Sequence, residues 1–121
     1  MKKVILLVLL LAGIFVFAGI GEAAMNADEF LNLCGWHTLN EVRAAIKNGA
    51  DVNAKDEHGA TALMLAALYN SNPEVISLLL ERGANANIID KTGKRAIDYA
   101  EERYGWRGTE ALKQLKKASG K

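Results

Sequence analysis

Cys34 and His37 stand three residues apart in "FLNLCGWHT", and His58 is the only other histidine. A thiol and an imidazole at that spacing share a helix face only if the helix runs on through Gly35. Even then the set falls short, because a zinc site needs three or four N, S or O ligands. Cys34 is the only cysteine, so no internal disulfide can form. It closes an apolar helical pattern and reads as a small buried hydrophobe; pairing with a second chain or a redox role is the alternative. Glu101 and Glu102 are adjacent along a helical stretch, so their carboxylates face different ways. The chain has no Gly-rich phosphate loop, nucleophile elbow or paired zinc motif. The expectation is a protein without catalytic residues, cofactor, metal or small-molecule substrate.

The chemistry that remains is that of surfaces, and length limits how large they can be. The chain has 121 residues, enough for one domain. Its start, "MKKVILLVLLLAGIFVFAGIGEAA", places two lysines before the 17-residue apolar run Val4–Ile20, followed by Gly21-Glu22-Ala23. That is the three-part form of a secretory signal, with cleavage expected after Ala23. The other reading is an uncleaved anchor, since 17 residues is the lower edge of a bilayer span. The short lysine-led start has the form of a bacterial export signal, and localisation is expected to be periplasmic or secreted. With residues 1–23 removed, 13 basic and 13 acidic residues remain. Residues 24–58 carry −3 and residues 103–121 carry +5. A neutral chain with one basic end does not offer the broad basic surface that nucleic acid requires. Without a disulfide, the mature domain must be held by packing alone.

That packing is written twice. "NGADVNAKDEHG" (48–59) returns as "RGANANIIDKTG" (82–93), with Gly49, Ala50, Asn53, Asp56 and Gly59 matching Gly83, Ala84, Asn87, Asp90 and Gly93. "NEVRAAIKNGADVN" lies over "EVISLLLERGANAN" at the same offset. Further on the offset grows to 36, and the extra residues fall in "RYGWRG". A period in the low thirties signals stacked repeats. Within one repeat, Thr61 is positioned to cap a short helix rich in alanine. "NSNP" breaks the chain, with Asn72 as cap and Pro73 at the first helical position. Val75, Ile76, Leu78, Leu79 and Leu80 make a strongly apolar second helix, which Gly83 ends. Thr38 and Glu41 have the spacing of a capping box ahead of "VRAAI". Each unit is therefore expected to be helix, loop, helix and projecting hairpin.

The middle unit, "DEHGATALMLAALYNSNPEVISLLLERGANANIID", resembles the ankyrin repeat. Asp56, Gly59, Thr61, Leu63, Ala66, Ala67, the "VISLLL" core, Gly83-Ala84 and Asn87 carry the resemblance, which extends over about residues 27–117. Ala62 and Met64 stand where the family favours proline and histidine, so that histidine's hydrogen bonds are missing. The resemblance implies an all-α solenoid of about three units. It comprises an N-terminal capping repeat (27–55), a full repeat (56–89) and a C-terminal capping repeat (90–118) within a domain at 24–121. "KQLKKASGK" supplies the polar outer face that a cap needs.

The resemblance also implies a binding module rather than an enzyme, working through the concave face of the stack. It places partner-facing positions at the hairpin tips, here Lys55, Glu57 and His58, then Ile89, Lys91 and Lys94. It places others at the first-helix ends, Leu68, Tyr69 and Arg103. Aromatic residues at three successive loops (Trp36, Tyr69, and Tyr104 with Trp106) suggest a stripe of interface anchors. For the two tryptophans, packing over the ends of a small core is an equal alternative. His58 reads as a solvated polar residue. The expected function is that of an exported monomer that binds one protein partner. The alternative is a dedicated inhibitor or protective partner of one exported enzyme or toxin.

Overall fold

The computed structural model describes residues 25–120. The expected signal segment and its cleavage point lie outside them. Six α-helices and one 3-10 turn follow in order: α1 Ala27–Trp36, α2 Leu39–Lys47, α3 Ala62–Tyr69, α4 Glu74–Glu81, α5 Ala96–Glu101, the 3-10 turn Tyr104–Trp106, and α6 Glu110–Ala118. The first helices α1, α3 and α5 pack on one another in sequence, and so do the second helices α2, α4 and α6. Each first helix also packs on the second helix of its own unit. The all-α solenoid of three stacked units is therefore the observed architecture. The long connections form tight turns rather than full hairpins, with one isolated antiparallel bridge, Lys55 to Thr61.

The core follows from the repeat. Phe30, Leu31 and Cys34 of α1 meet Leu63, Met64, Ala66 and Ala67 of α3, and then Ile97 and Ala100 of α5. Val75, Ile76, Leu78 and Leu79 of α4 lie between Val42 and Ala45 of α2 and Ala111, Leu112 and Leu115 of α6. These are the apolar runs that no single helix could bury alone. Lys113, Lys116 and Lys117 of α6 point outward, which gives the last unit its polar outer face.

The helix starts use side-chain oxygens, because first-turn amides have no partner within the helix. Thr61 accepts from Met64 N, and Asn72 accepts from Glu74 N with Pro73 between them. The Thr38 box is only half formed. Thr38 accepts from Glu41 N, but the Glu41 carboxylate turns to His37 Nδ1 at 2.6 Å instead of closing the box. The reciprocal box lies one helix earlier, where Asn26 and Glu29 each accept the other's backbone N–H. At the third unit Arg95 stands in the cap position and cannot accept. Asp98 compensates by accepting Arg95 N at 2.8 Å.

Candidate functional surface

Two sets of polar side chains fix how one unit sits on the next. Asn53 donates to Gly83 O and accepts from Asn85 N, while Asn87 reaches Ala118 O. On the loop side, Asn70 is buried and its amide donates to Cys34 O (2.8 Å) and His37 O (2.9 Å). Arg103 does the same work one unit later, donating to Ala67 O (3.2 Å) and Asn70 O (2.6 Å). In both cases the acceptors lie 36 and 33 residues back. The 3-10 turn then closes the series, since Trp106 N donates to Arg103 O. Trp106 itself is 3% exposed, with the Arg103 guanidinium 4.8 Å from its ring centroid.

The turns between units are stapled as well. Asp56 accepts from His58 N and Ala60 N, and Asp90 accepts from Thr92 N and Lys94 N. Lys91 N donates to His58 O, so successive tips are joined through the backbone. Gly59 allows that approach, because a Cβ there would meet Asp90 Cα at 3.3 Å. Asp90 also accepts from the hydroxyls of Thr92 and Tyr99. Partial desolvation pushes its carboxyl up, but the hydrogen bonds from Thr92, Tyr99 and the Lys94 and Thr92 amides outweigh it. The net result holds Asp90 well below the usual carboxylate range. The bond to Asp90 raises the pKa of Tyr99, because the carboxylate accepts from the phenol and keeps its proton in place. Lys94 extends from its tip to Glu102 at 3.1 Å, and that bond raises its pKa. The second tip is thereby tied to the end of the third first helix.

The partner-facing positions read from sequence fall into two groups. Lys55, Glu57, His58, Ile89 and Lys91 are exposed tip residues, and Glu57 and His58 make only a surface pair at 3.5 Å. Tyr69 is 46% exposed and stacks on Trp36, itself 66% exposed, with ring centroids 4.7 Å apart and planes 17° apart. The others are already engaged. Leu68 is half-buried, Lys94 is paired with Glu102, and Arg103 is a clamp between units. Of the aromatic residues at the three loops, Trp36 joins Tyr69 and Tyr104 is exposed, whereas Trp106 takes the alternative reading and belongs to the core. Sequence reasoning missed Asn70, whose only signal was its place in a loop before "SNP".

Cys34 is fully buried, and burial pushes its thiol up to about 12, so it offers no thiolate. Among the described residues no group of three or more His, Cys, Asp or Glu could hold a metal. Nor is any described helix long and apolar enough to cross a membrane.

A stack of helix pairs in register, joined by Asp- and Gly-bearing turns, has known counterparts. The family profile "Ankyrin repeats (many copies)" matches residues 46–100. The described residues form a short ankyrin-repeat solenoid. An ankyrin repeat protein of fowlpox virus (strain NVSL) is 41% identical over 63 residues, covering 51% of this chain and 12% of that protein. The mitochondrial disaggregase of Homo sapiens is 46% identical over 81 residues, covering 66% of this chain and 11% of its own. An E3 ubiquitin-protein ligase of Caenorhabditis elegans is 39% identical over 89 residues, covering 69% and 3%. The chain thus spans a small fraction of each relative's length. The activities in those names are the relatives' own.

Proposed function

We propose that this chain is an exported ankyrin-repeat module, of bacterial type by its lysine-led start, that binds one protein partner. The partner lies along the side bearing the first-helix ends and the tips. The observation that carries this reading is the Trp36–Tyr69 stack. Two large rings held outside the core present rigid apolar area at the loop ends of the first helices, and Lys55, His58, Ile89 and Lys91 are exposed at the tips. Large aromatic side chains of this kind dominate interface energetics when buried against a partner. Export rests on residues 1–23 as sequence. The absence of catalytic constellations in the sequence supports a role through binding alone.

The experiment is capture of a partner from the periplasm or medium by immobilised residues 24–121, followed by affinity measurement. Tyr69→Ala is expected to weaken capture by about 2 kcal/mol or more. Lys113→Glu on α6 is expected to leave it unchanged. The reverse pattern would move the site to the basic end of the molecule. If the captured protein is an enzyme or toxin whose activity falls on binding, the module is its dedicated inhibitor.

A further inference from the structure

Three of the five described tyrosine and tryptophan rings carry a cation from the chain itself. Lys94 lies 5.1 Å from the Tyr99 centroid, Arg103 4.8 Å from that of Trp106, and Arg107 5.0 Å from that of Tyr104. Trp36 and Tyr69 are the other two: among the described residues neither has a lysine or arginine over its ring. Each uses one face on the other, which leaves one outer face per ring. Arg103, which reaches Asn70 O beside Tyr69, is committed to backbone carbonyls and to the Trp106 ring. The first helices read "ADEFLNLCGW", "ALMLAALY" and "AIDYAE", with several carboxylates and no lysine or arginine. Asp28, Asn32 and Trp36 are spaced by four along α1 and are all exposed, so one stripe runs from a carboxylate to an indole.

From this we infer that the Trp36–Tyr69 wall takes an arginine- or lysine-bearing segment of the partner. The inference rests on the protein-binding reading above and names the partner's chemistry. One cation stacks on the outer face of Trp36, the aromatic side chain that attracts cations best. A second meets Asp28. Eight residues of helix separate the two by about 12 Å. An extended chain covers that distance in roughly three to four residues. The recognised segment therefore has two cations about that far apart.

The probe is a dye-labelled peptide with two arginines three residues apart in an alanine background, followed by fluorescence anisotropy at low salt. Its counterpart has glutamate at both positions. The arginine peptide is expected to bind and the glutamate peptide is not. Trp36→Ala and Asp28→Asn should each weaken binding at least fivefold, with helix content unchanged by circular dichroism. Trp36→Phe should retain part of it, and Lys113→Glu all of it. Equal binding of both peptides, no binding of either, or binding indifferent to Trp36 and Asp28 overturns the inference. So does self-association at low salt that Lys116→Glu abolishes and the arginine peptide displaces, which would give the wall to a second copy. A partner captured through Tyr69 whose contact segment lacks arginine and lysine overturns the cationic partner alone. Loss of capture with Lys113→Glu but not with Tyr69→Ala overturns the protein-binding face as well.

Discussion

Asp90 links one turn of the domain to pH. Its carboxylate organises a turn by accepting from two amides and two hydroxyls, and it is held below its ordinary value. In the unfolded chain an aspartate titrates near about 3.9. The folded form therefore takes up a proton less readily than the unfolded one. The stability this provides is present above that pH and is lost as pH falls through the folded value. Asp90→Asn keeps one acceptor but removes the charge. It should destabilise at pH 7, and urea melts should show its gap to the parent narrowing below about pH 4. A gap that stays constant down to pH 2.5 would mean the charge contributes nothing. Arg103 makes a second case. The sequence presents it as a surface arginine, yet it clamps Ala67 O and Asn70 O and covers Trp106. Arg103→Ala removes charge-assisted bonds to two carbonyls of the preceding unit, so it should cost about 1.5–3 kcal/mol. It is therefore a stability variant, and its effect on partner capture has to be read against a folding control.

At the scale of elements, what the sequence shows clearly is what repeats. The second helix was legible because Val75, Ile76, Leu78 and Leu79 are too apolar to stand exposed, and all four are buried. Leu79→Ala should cost about 2–5 kcal/mol, because α2 and α6 hold both sides of the cavity it would leave. A chemical denaturation midpoint unmoved by that change would misplace the core face. Turn glycines were legible as well, but their roles differ in a way only packing reveals. Gly83 has φ 93° with nothing within 4 Å of a built Cβ, whereas Gly59 has φ 76° with Asp90 Cα at 3.3 Å. Gly83→Ala should therefore cost only the left-handed backbone term of about 1–2 kcal/mol. Gly59→Ala should cost more, because it also pushes neighbouring tips apart, and paired urea melts would rank the two. Less legible were the groups that act between units. Asn70 and Arg103 depend on which carbonyls the preceding unit presents. Such partners lie 33 or 36 residues away, and no local pattern names them.

For the whole molecule, three units are few. Each buries its apolar face only against a neighbour, so the stack is expected to unfold as one transition rather than unit by unit. The proposed export bears on the same point, because a chain with one cysteine has no internal disulfide to reinforce it in an oxidising compartment. If residues 1–23 act as a signal, mass spectrometry of the exported protein should find a chain beginning at Ala24. An intact chain embedded in membrane would exclude cleavage. The mature domain then depends on both of its end units. The last one is short, but it supplies Trp106, Ala111, Leu112 and Leu115 to the core and closes the loop series through Trp106 N. Deleting residues 104–121 would strip α4 of its α6 neighbour and leave Val75, Ile76 and Leu79 covered from one side only. The loss exceeds that of a single core truncation, which already takes a large share of what a domain of this size has. The shortened chain should therefore lose its cooperative thermal transition by circular dichroism, and not merely melt a few degrees lower. A sharp transition retained in the shortened chain would show that two units suffice, and that the basic last unit is there for a surface rather than for the fold.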